Sequence, residues 1–453
     1  MKRKEILLNI SLVILVFLTI LQASLLWIKI PKLNRGAVVQ EQYNTEDFFK
    51  EFLKPKKMIV NFGGDFHTVV YDFSETWKNY INLVSTVFLK VAPDNLTEIS
   101  PVKYMDLQED DSIVFVFNRE VSGNLFLNLI GKTPHSPARE DTGIKELYIS
   151  KDNLILTNSH GIFQVNLNIK KDPTDVLNGF NQETTKRYNN FYEKYNILSN
   201  VYVPTDDEYD YKEVYFQNEI KTMPKQYKNN LASRVLNENI DYIREITQQD
   251  GTTYVYEDRF LKLLSSGLIY YEDPENFETK ERNMYVSLKS AINFMTSKMG
   301  ISNSIKLSGF EPIKFGNNLG YRLLFNFTEE SIPVYLKDKS LENYISIDVF
   351  SDHIKSYKQF YRGVVSKPQE IYKVTDQYSV KDLIKDNLGV FVNQSDGVVE
   401  MHEILAAISD CDFVYVDTAP NEEKTKLVPA IRIIYKDRNL FFNMKNGKFL
   451  MER

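Results

Sequence analysis

The chain has 453 residues, 43% of them hydrophobic and 26% charged, a globular composition that excludes disorder over most of its length. Its 61 acidic and 55 basic side chains leave a formal charge of −6, without the basic footprint a nucleic-acid binder needs. A single cysteine, Cys411, excludes a disulfide framework and any multi-cysteine metal centre.

Positions 6–28 are 23 consecutive residues without a charge. As a helix they span roughly 34 Å, enough to cross a bilayer core of about 30 Å. Trp27 stands where an interfacial aromatic would sit, and Lys29 and Lys32 follow it. A cleaved signal peptide is the competing reading. Its apolar region would be shorter, about 7–15 residues, and Leu21-Gln22-Ala23 makes a poor cleavage site. The segment is therefore read as an uncleaved anchor. Lys2, Arg3 and Lys4 before it balance Lys29, Lys32 and Arg35 after it, so the positive-inside rule does not choose an orientation. The short amino-terminal tail leaves all folded domains on one side, and the outside is favoured. Ser11, Leu15, Leu18 and Gln22 share one helix face, flanked by Thr19. Polar groups on such a stripe can join helices in lipid by about 0.6–2 kcal/mol each; the bland reading is that Ser11 and Thr19 bond their own backbone and Gln22 reaches the headgroups.

A linker over about 31–42 precedes a short helix at 46–53, broken by Pro55. Alternation predicts a strand at 58–62, a turn at Gly63-Gly64-Asp65 and a return strand at 67–71. Ser74 is expected to cap a helix to about 91, with Trp77, Ile81, Val84, Phe88 and Val91 on one face. Strands are expected at 112–117, 146–150, 154–157 and 162–166, and 174–197 reads as helical. The acidic run 204–213 reads as a solvated linker. Two hairpin-like pairs follow, then a helix burying Leu288, Ala291, Ile292, Met295 and Met299, then strands at 321–327, 331–336 and 344–350. Beyond Pro368 the pattern gives helices at 380–386 and 400–408 and strands at 413–417, 430–435 and 440–444. Both carboxy-terminal units thus read as a helix followed by antiparallel strands, suggesting a weak internal repeat. The expected class is α+β: an anchor helix over 1–30, then extracytoplasmic domains at 31–203, 204–367 and 368–453, each of helices on antiparallel sheet.

Chemical motifs are sparse. Asn61-Phe-Gly-Gly-Asp65 lacks the spacing of a Rossmann turn or P-loop and reads as a plain turn. In Asp410-Cys411-Asp412 two anions flank a thiol, which opposes nucleophilic activation and favours a structural cysteine. The acidic residues at 206–210 lack the EF-hand pattern. Histidines at 67, 135, 160, 353 and 402 show no metal-ligand spacing, and there is no G-x-S-x-G elbow. A carboxylate pair for glycoside hydrolysis needs no local motif and stays open.

An ordered series of fragments resembles the YycH family of two-component regulatory proteins of Gram-positive bacteria. It begins with the anchor, then Leu53 to Pro55 leading into Ile59 to Gly64, His67, Trp77, and Tyr202 to Pro204. It continues with Leu268 to Pro274, Ile292 to Phe294, Ile332 to Val334, the alternating 345–349, Tyr357, Tyr361-Arg362, and Leu427 to Ile433. It departs at 295–300, where the family has a histidine- and glycine-bearing turn, and at Ile431, where it has a tryptophan. The resemblance implies a divergent, non-enzymatic, single-pass cell-membrane protein with a cytoplasmic amino terminus, three extracellular domains and no cofactor. It implies as partners a YycG/WalK-like sensor histidine kinase controlling cell-wall metabolism and a YycI-like accessory protein. Contacts through transmembrane helices would use Ser11, Leu15, Leu18, Thr19 and Gln22. The rival expectation is an anchored glycan-binding or glycan-processing protein with an aromatic platform or a carboxylate cleft; a plain scaffold is the third.

Overall fold

A computed structural model describes Phe49, 53–132, 143–167, 169, 172–205, 209–274, 277–301, 305–338, 341, 343–365, 371–374, 379–392 and 400–453. The uncharged 6–28 segment, with Ser11, Leu15, Leu18, Thr19 and Gln22, and most of the expected 46–53 helix lie outside the described residues. Among the described residues, no helix is long and apolar enough to cross a membrane.

The amino-terminal part is built on a nine-stranded sheet. Its strands are β1 (Lys57–Asn61), β2 (His67–Val70), β3 (Leu96–Glu98), β4 (Ser112–Ser122), β5 (Gly143–Ser150), β6 (Leu154–Asn158), β7 (Gly161–Val165), β8 (Tyr188–Asn190) and β9 (Tyr202–Pro204), in the order β3-β7-β6-β5-β4-β1-β2-β8-β9. Met58 and Val60 point into one core and Ile59 into another on the opposite face. A strand covered on both faces reads as an unbroken apolar run, which is what Met58-Ile-Val60 is. The turn between β1 and β2 places Gly63 and Gly64 at φ +84° and +61°, where a Cβ would be strained.

Helix α1 (Ser74–Lys90) lays Trp77, Leu83, Val84, Val87 and Phe88 on that sheet. Trp77 meets Phe115, Phe117 and Phe126 edge-on at ring distances of 5.4, 5.9 and 6.4 Å. Phe126 comes from α2 (Gly123–Leu129), and Gly123 sits so close to Phe88 that a Cβ there would lie 2.8 Å from the ring. Ser74 does not cap α1. It accepts a hydrogen bond at 2.7 Å from the ammonium of Lys54, whose buried charge needs an acceptor.

The rest of the chain builds a thirteen-stranded sheet: β12 (Arg244–Gln248), β13 (Gly251–Tyr256), β14 (Arg259–Leu264), β15 (Leu268–Glu272), β16 (Ile305–Phe315), β17 (Asn318–Glu329), β18 (Ile332–Leu336), β19 (Ile345–Phe350), β20 (His353–Phe360), β23 (Ile408–Asp417), β25 (Val428–Tyr435), β26 (Arg438–Asn443) and β27 (Phe449–Glu452). Its path is β12-β13-β14-β15-β20-β19-β17-β18-β23-β25-β26-β27, with β16 on β17. The pair β18–β23 is parallel, Val334 opposite Tyr415, and carries the sheet past position 368. Smaller ladders join β10 (Tyr209–Lys212) to β22 (Ile371–Val374), and β11 (Tyr215–Asn218) to both β21 (Arg362–Val364) and β24 (Lys424–Lys426). All described residues fall in one compact unit, Gln42–Arg453.

Helix α3 (Lys225–Leu236) buries Leu231, Ala232, Val235 and Leu236. Helix α4 (Met284–Asn293) buries Leu288, Ala291 and Ile292 and continues as a π-helical turn over Phe294–Met299, burying Met295 and Met299. The Asn283 side chain accepts from the Val286 amide at 3.1 Å and caps α4. Asn283→Ala should therefore lower the unfolding free energy by about 1 kcal/mol in urea titration.

The α+β class with antiparallel sheets is what the structure has. Region 174–197 is not a helix: it is split into Thr174–Leu177 and Phe191–Tyr195 with β8 between them. Asn178-Gly179 interrupts the pattern, and Asn196 ends the second piece in the left-handed region. Strand β16 escaped prediction because Gly309 and Pro312 argue against a strand. Among the described residues it pairs only with β17, and it bulges between Leu307 and Gly309, so Pro312 need not serve a second ladder.

Candidate functional site

Two buried polar clusters stand out. In the first, Asp410 and Asp412 alternate with Cys411 along β23, so both carboxylates face one side and the thiol the other. Arg432 on β25 lies directly across from Asp412. Lys56 and Lys57, at the start of β1, arrive from the nine-stranded sheet. The Lys57 ammonium donates to Asp412 at 2.7 Å, Asp410 at 2.8 Å and the Cys411 carbonyl at 3.2 Å. Lys56 pairs with Asp410 and, at 3.3 Å, with Asp412. Arg432 pairs with Asp412, and its other terminal nitrogen donates to the Tyr335 hydroxyl at 2.7 Å. Beside them the Phe413 amide donates to the Tyr71 hydroxyl at 3.1 Å. Residues more than 350 apart in sequence thus tie the first sheet to the last.

Three cations meet two anions. Burial alone would raise the Asp412 carboxyl, but Lys56, Lys57 and Arg432 overcome it and hold it well below the usual carboxylate range. Asp410 is also lowered: burial and Asp412 act upward, and the same three cations prevail. Burial opposes the charge on Lys57 as well, yet the two aspartates raise it. Lys56 goes the other way, lowered by burial and by the neighbouring cations beyond what the aspartates restore. Lys56 is the most exposed of the three, at 15% of its side chain. The Cys411 thiol is pushed up to about 12 by burial and the adjacent carboxylates, which keeps it protonated and non-nucleophilic. The arrangement can clamp two sheets; it offers no activated nucleophile.

The sign of the pH dependence follows. A carboxyl depressed in the folded state contributes stability that is present above its unfolded value, about 4, and lost as pH falls through the folded value. The urea midpoint of the chain should drop as pH is taken below about 4, and less steeply in Asp412→Asn.

The second cluster centres on Arg362, buried at the start of β21. Its guanidinium donates to the carbonyls of Pro420, Glu422 at 2.7 Å and Phe216 at 3.1 Å, and to the Thr425 hydroxyl at 2.8 Å. Asp417 lies 3.3 Å from Nε and accepts from the Tyr344 hydroxyl at 2.9 Å. Burial raises the Asp417 carboxyl against the pull of Arg362 and Tyr344.

Of the histidines, His67 is buried between Asn61 and Glu193, each at 2.8 Å, and His353 stacks on Phe277 at 4.4 Å. Among the described residues no group of histidine, cysteine, aspartate and glutamate could hold a metal ion. Sequence reasoning singled out Asp410-Cys411-Asp412 but missed Lys56, Lys57, Arg432 and Arg362. The one local signal was a Lys-Lys pair immediately before a fully buried strand, where charges need partners.

No protein-family model matches the chain, and no curated protein does. Among solved structures, YycH from Bacillus subtilis superimposes with a TM-score of 0.53 at 11% identity, covering 89% of this chain and 96% of that one. An uncharacterized protein from Eubacterium rectale gives 0.36 at 11% identity, with 62% and 99% covered. The YpeB C-terminal domain of Bacillus megaterium gives 0.29 at 12%, with 51% and 97% covered. The chain therefore has a YycH-like fold.

Proposed function

We propose that the protein is a membrane-anchored, non-enzymatic regulator of a sensor histidine kinase of the YycG/WalK type, working with a YycI-like partner. In this reading its folded domains lie outside the cell and its anchor packs beside the kinase helices through Ser11, Leu15, Leu18, Thr19 and Gln22. The observation that carries the reading is the YycH-like fold over 89% of the chain. The uncharged 6–28 segment supplies the means of reaching a membrane partner. The clamp formed by Lys56, Lys57, Asp410, Asp412 and Arg432 supports it too: a body whose first and last sheets are tied can pass a force or a docking event to its anchor end.

Regulation of this kind requires different binding free energy for the two kinase states; a difference of about 1.4 kcal/mol shifts their ratio tenfold. The test is to replace residues 6–28 with an unrelated apolar helix and read kinase output in cells. The anchored but unregulating protein is the expected result. Unchanged regulation would exclude helix contacts as the mechanism.

A further inference from the structure

One buried histidine ends a chain of hydrogen bonds whose directions can be read one by one. His67 lies in β2 with no exposed surface, opposite Asn61 in the β1–β2 ladder. Its Nδ1 is 2.8 Å from Asn61 Oδ1, and its Nε2 is 2.8 Å from a carboxylate oxygen of Glu193.

Main-chain carbonyls only accept, so they fix the direction of whatever is bonded to them. Gln108 Nε2 donates to the Tyr104 carbonyl at 3.4 Å, which leaves Gln108 Oε1 to accept from Asn61 Nδ2 at 3.0 Å. The Ser112 hydroxyl donates to the Asp110 carbonyl at 3.0 Å, so its oxygen accepts from the same Asn61 nitrogen at 2.8 Å. Both amide protons of Asn61 are thus given away, and Oδ1 is the atom that faces the ring. Glu193 offers an acceptor on the other side. A neutral imidazole has one N–H and one lone pair, and here the lone pair would point at an acceptor. Two acceptors call for two N–H groups, which is an imidazolium. The proton belongs on the ring, because histidine is a stronger base than glutamate.

The other titratable groups nearby do not compete for it. Tyr202 meets the ring edge-on at 5.3 Å and donates to Gln108 Oε1 at 3.3 Å, and Tyr104 donates to Glu146 at 3.0 Å. Burial raises both phenols, Glu193 and Glu146 add to the effect, and both stay neutral. Tyr188 lies opposite His67 in the β2–β8 ladder. Farther charges are Glu146 on β5 and Arg187, which lies over the Phe66 ring at 4.5 Å.

The bond to Glu193 joins two parts of the first sheet. Among the described residues, His67–Tyr188 is the one ladder pair between β2 and β8. Glu193 sits on the short helix Phe191–Tyr195 that links β8 to β9, so its bond to His67 is a second tie to this edge ribbon, 188–204. Phe191, Val201 and Val203 are buried and hold the ribbon as well. Losing the polar tie therefore loosens the ribbon without releasing it. Strand β9 lies against β23, which carries Asp410 and Asp412.

We infer that His67 and Glu193 form a proton-operated latch: while the ring carries its second proton the 188–204 ribbon is held closed, and loss of that proton loosens it. The folded chain binds one proton more here than an unfolded chain with neutral histidine, so the ribbon becomes less stable as pH rises. The inference rests on these bonds and not on the kinase reading.

The test has two readouts on the full chain. In the first, His135, His160, His353 and His402 are replaced by asparagine, leaving one imidazole, which is labelled with nitrogen-15. At about pH 7.5 both of its ring nitrogens should give the signals of N–H groups. In the second, amide exchange of the unaltered chain is corrected for the intrinsic rate at each pH. Over 188–204 it should become about tenfold faster, relative to β5, between about pH 6 and about pH 8.5, a change of about 1.4 kcal/mol in opening free energy. Glu193→Gln can turn its amide to donate to an unprotonated Nε2, so it keeps the tie without the proton. Its ring should be neutral, and the pH response of 188–204 should vanish. An unprotonated ring nitrogen beside the native Glu193 at the first pH would overturn the inference. So would exchange over 188–204 that ignores pH, or a pH response that persists in Glu193→Gln.

Discussion

Asp412→Ala is expected to lower the unfolding free energy by about 3–5 kcal/mol, read from urea or guanidinium titration of the full chain. The substitution leaves Lys56, Lys57 and Arg432 buried around Asp410 alone, with both ammonium groups and the guanidinium short of an acceptor. The cost comes from uncompensated charge and not from the lost pair itself. Removing one charge of each sign should therefore be milder. A Lys57→Met, Asp412→Leu double variant keeps the original balance of charge and should recover most of the loss. If the double variant is as unstable as Asp412→Ala, the cluster works through shape or hydrogen-bond geometry instead.

Arg362→Ala should cost a similar amount, about 3–5 kcal/mol, and Arg362→Lys should recover little of it. The guanidinium reaches three carbonyls, a hydroxyl and Asp417 from one buried position. An ammonium has three donors and no planar fork with which to span that set. The pH dependence of this site has the opposite sign to that of the first cluster. Asp417 is raised in the folded state, so its contribution is fullest below the ordinary aspartate range and is lost as pH rises through the folded value. Without Arg362 that loss should deepen, making Arg362→Ala relatively more stable in mild acid than at neutral pH. A stability difference between variant and parent that is flat across pH 4–7 would place the role of Arg362 in the carbonyls alone.

The parts of the fold that sequence reasoning reached are those whose cause is local. The β1–β2 hairpin follows from alternation and two glycines able to take positive φ. Helix α1 follows from the spacing of Trp77, Val84 and Phe88, and α4 from Leu288, Ala291, Ile292, Met295 and Met299. Helix α3 did not show, because its apolar residues crowd into its second half behind Lys225-Gln-Tyr-Lys-Asn-Asn. Strand β16 did not show, because an edge tolerates a proline that a central strand would reject. Ser74 could be placed at the start of α1, but its partner Lys54 is a tertiary fact.

The candidate site divides in the same way. Alternation along β23 puts Asp410 and Asp412 on one face, which is legible. Their cations arrive from a strand more than 350 residues earlier and from β25, and no local pattern announces such a meeting. The aspartates read as a reason for an inert thiol were also the anionic half of a clamp. The resemblance, carried by fragments in order, anticipated the YycH-like fold even though whole-chain identity to the B. subtilis protein is 11%.

The central claim is that the anchor holds this body against a sensor kinase. It is tested most directly by photo-crosslinking in intact membranes from positions 11, 15, 18 and 22, with the captured proteins identified by mass spectrometry. The account predicts a histidine kinase captured from these positions and not from the opposite helix face. Equal capture from both faces, or mature protein that begins beyond Trp27, would contradict it.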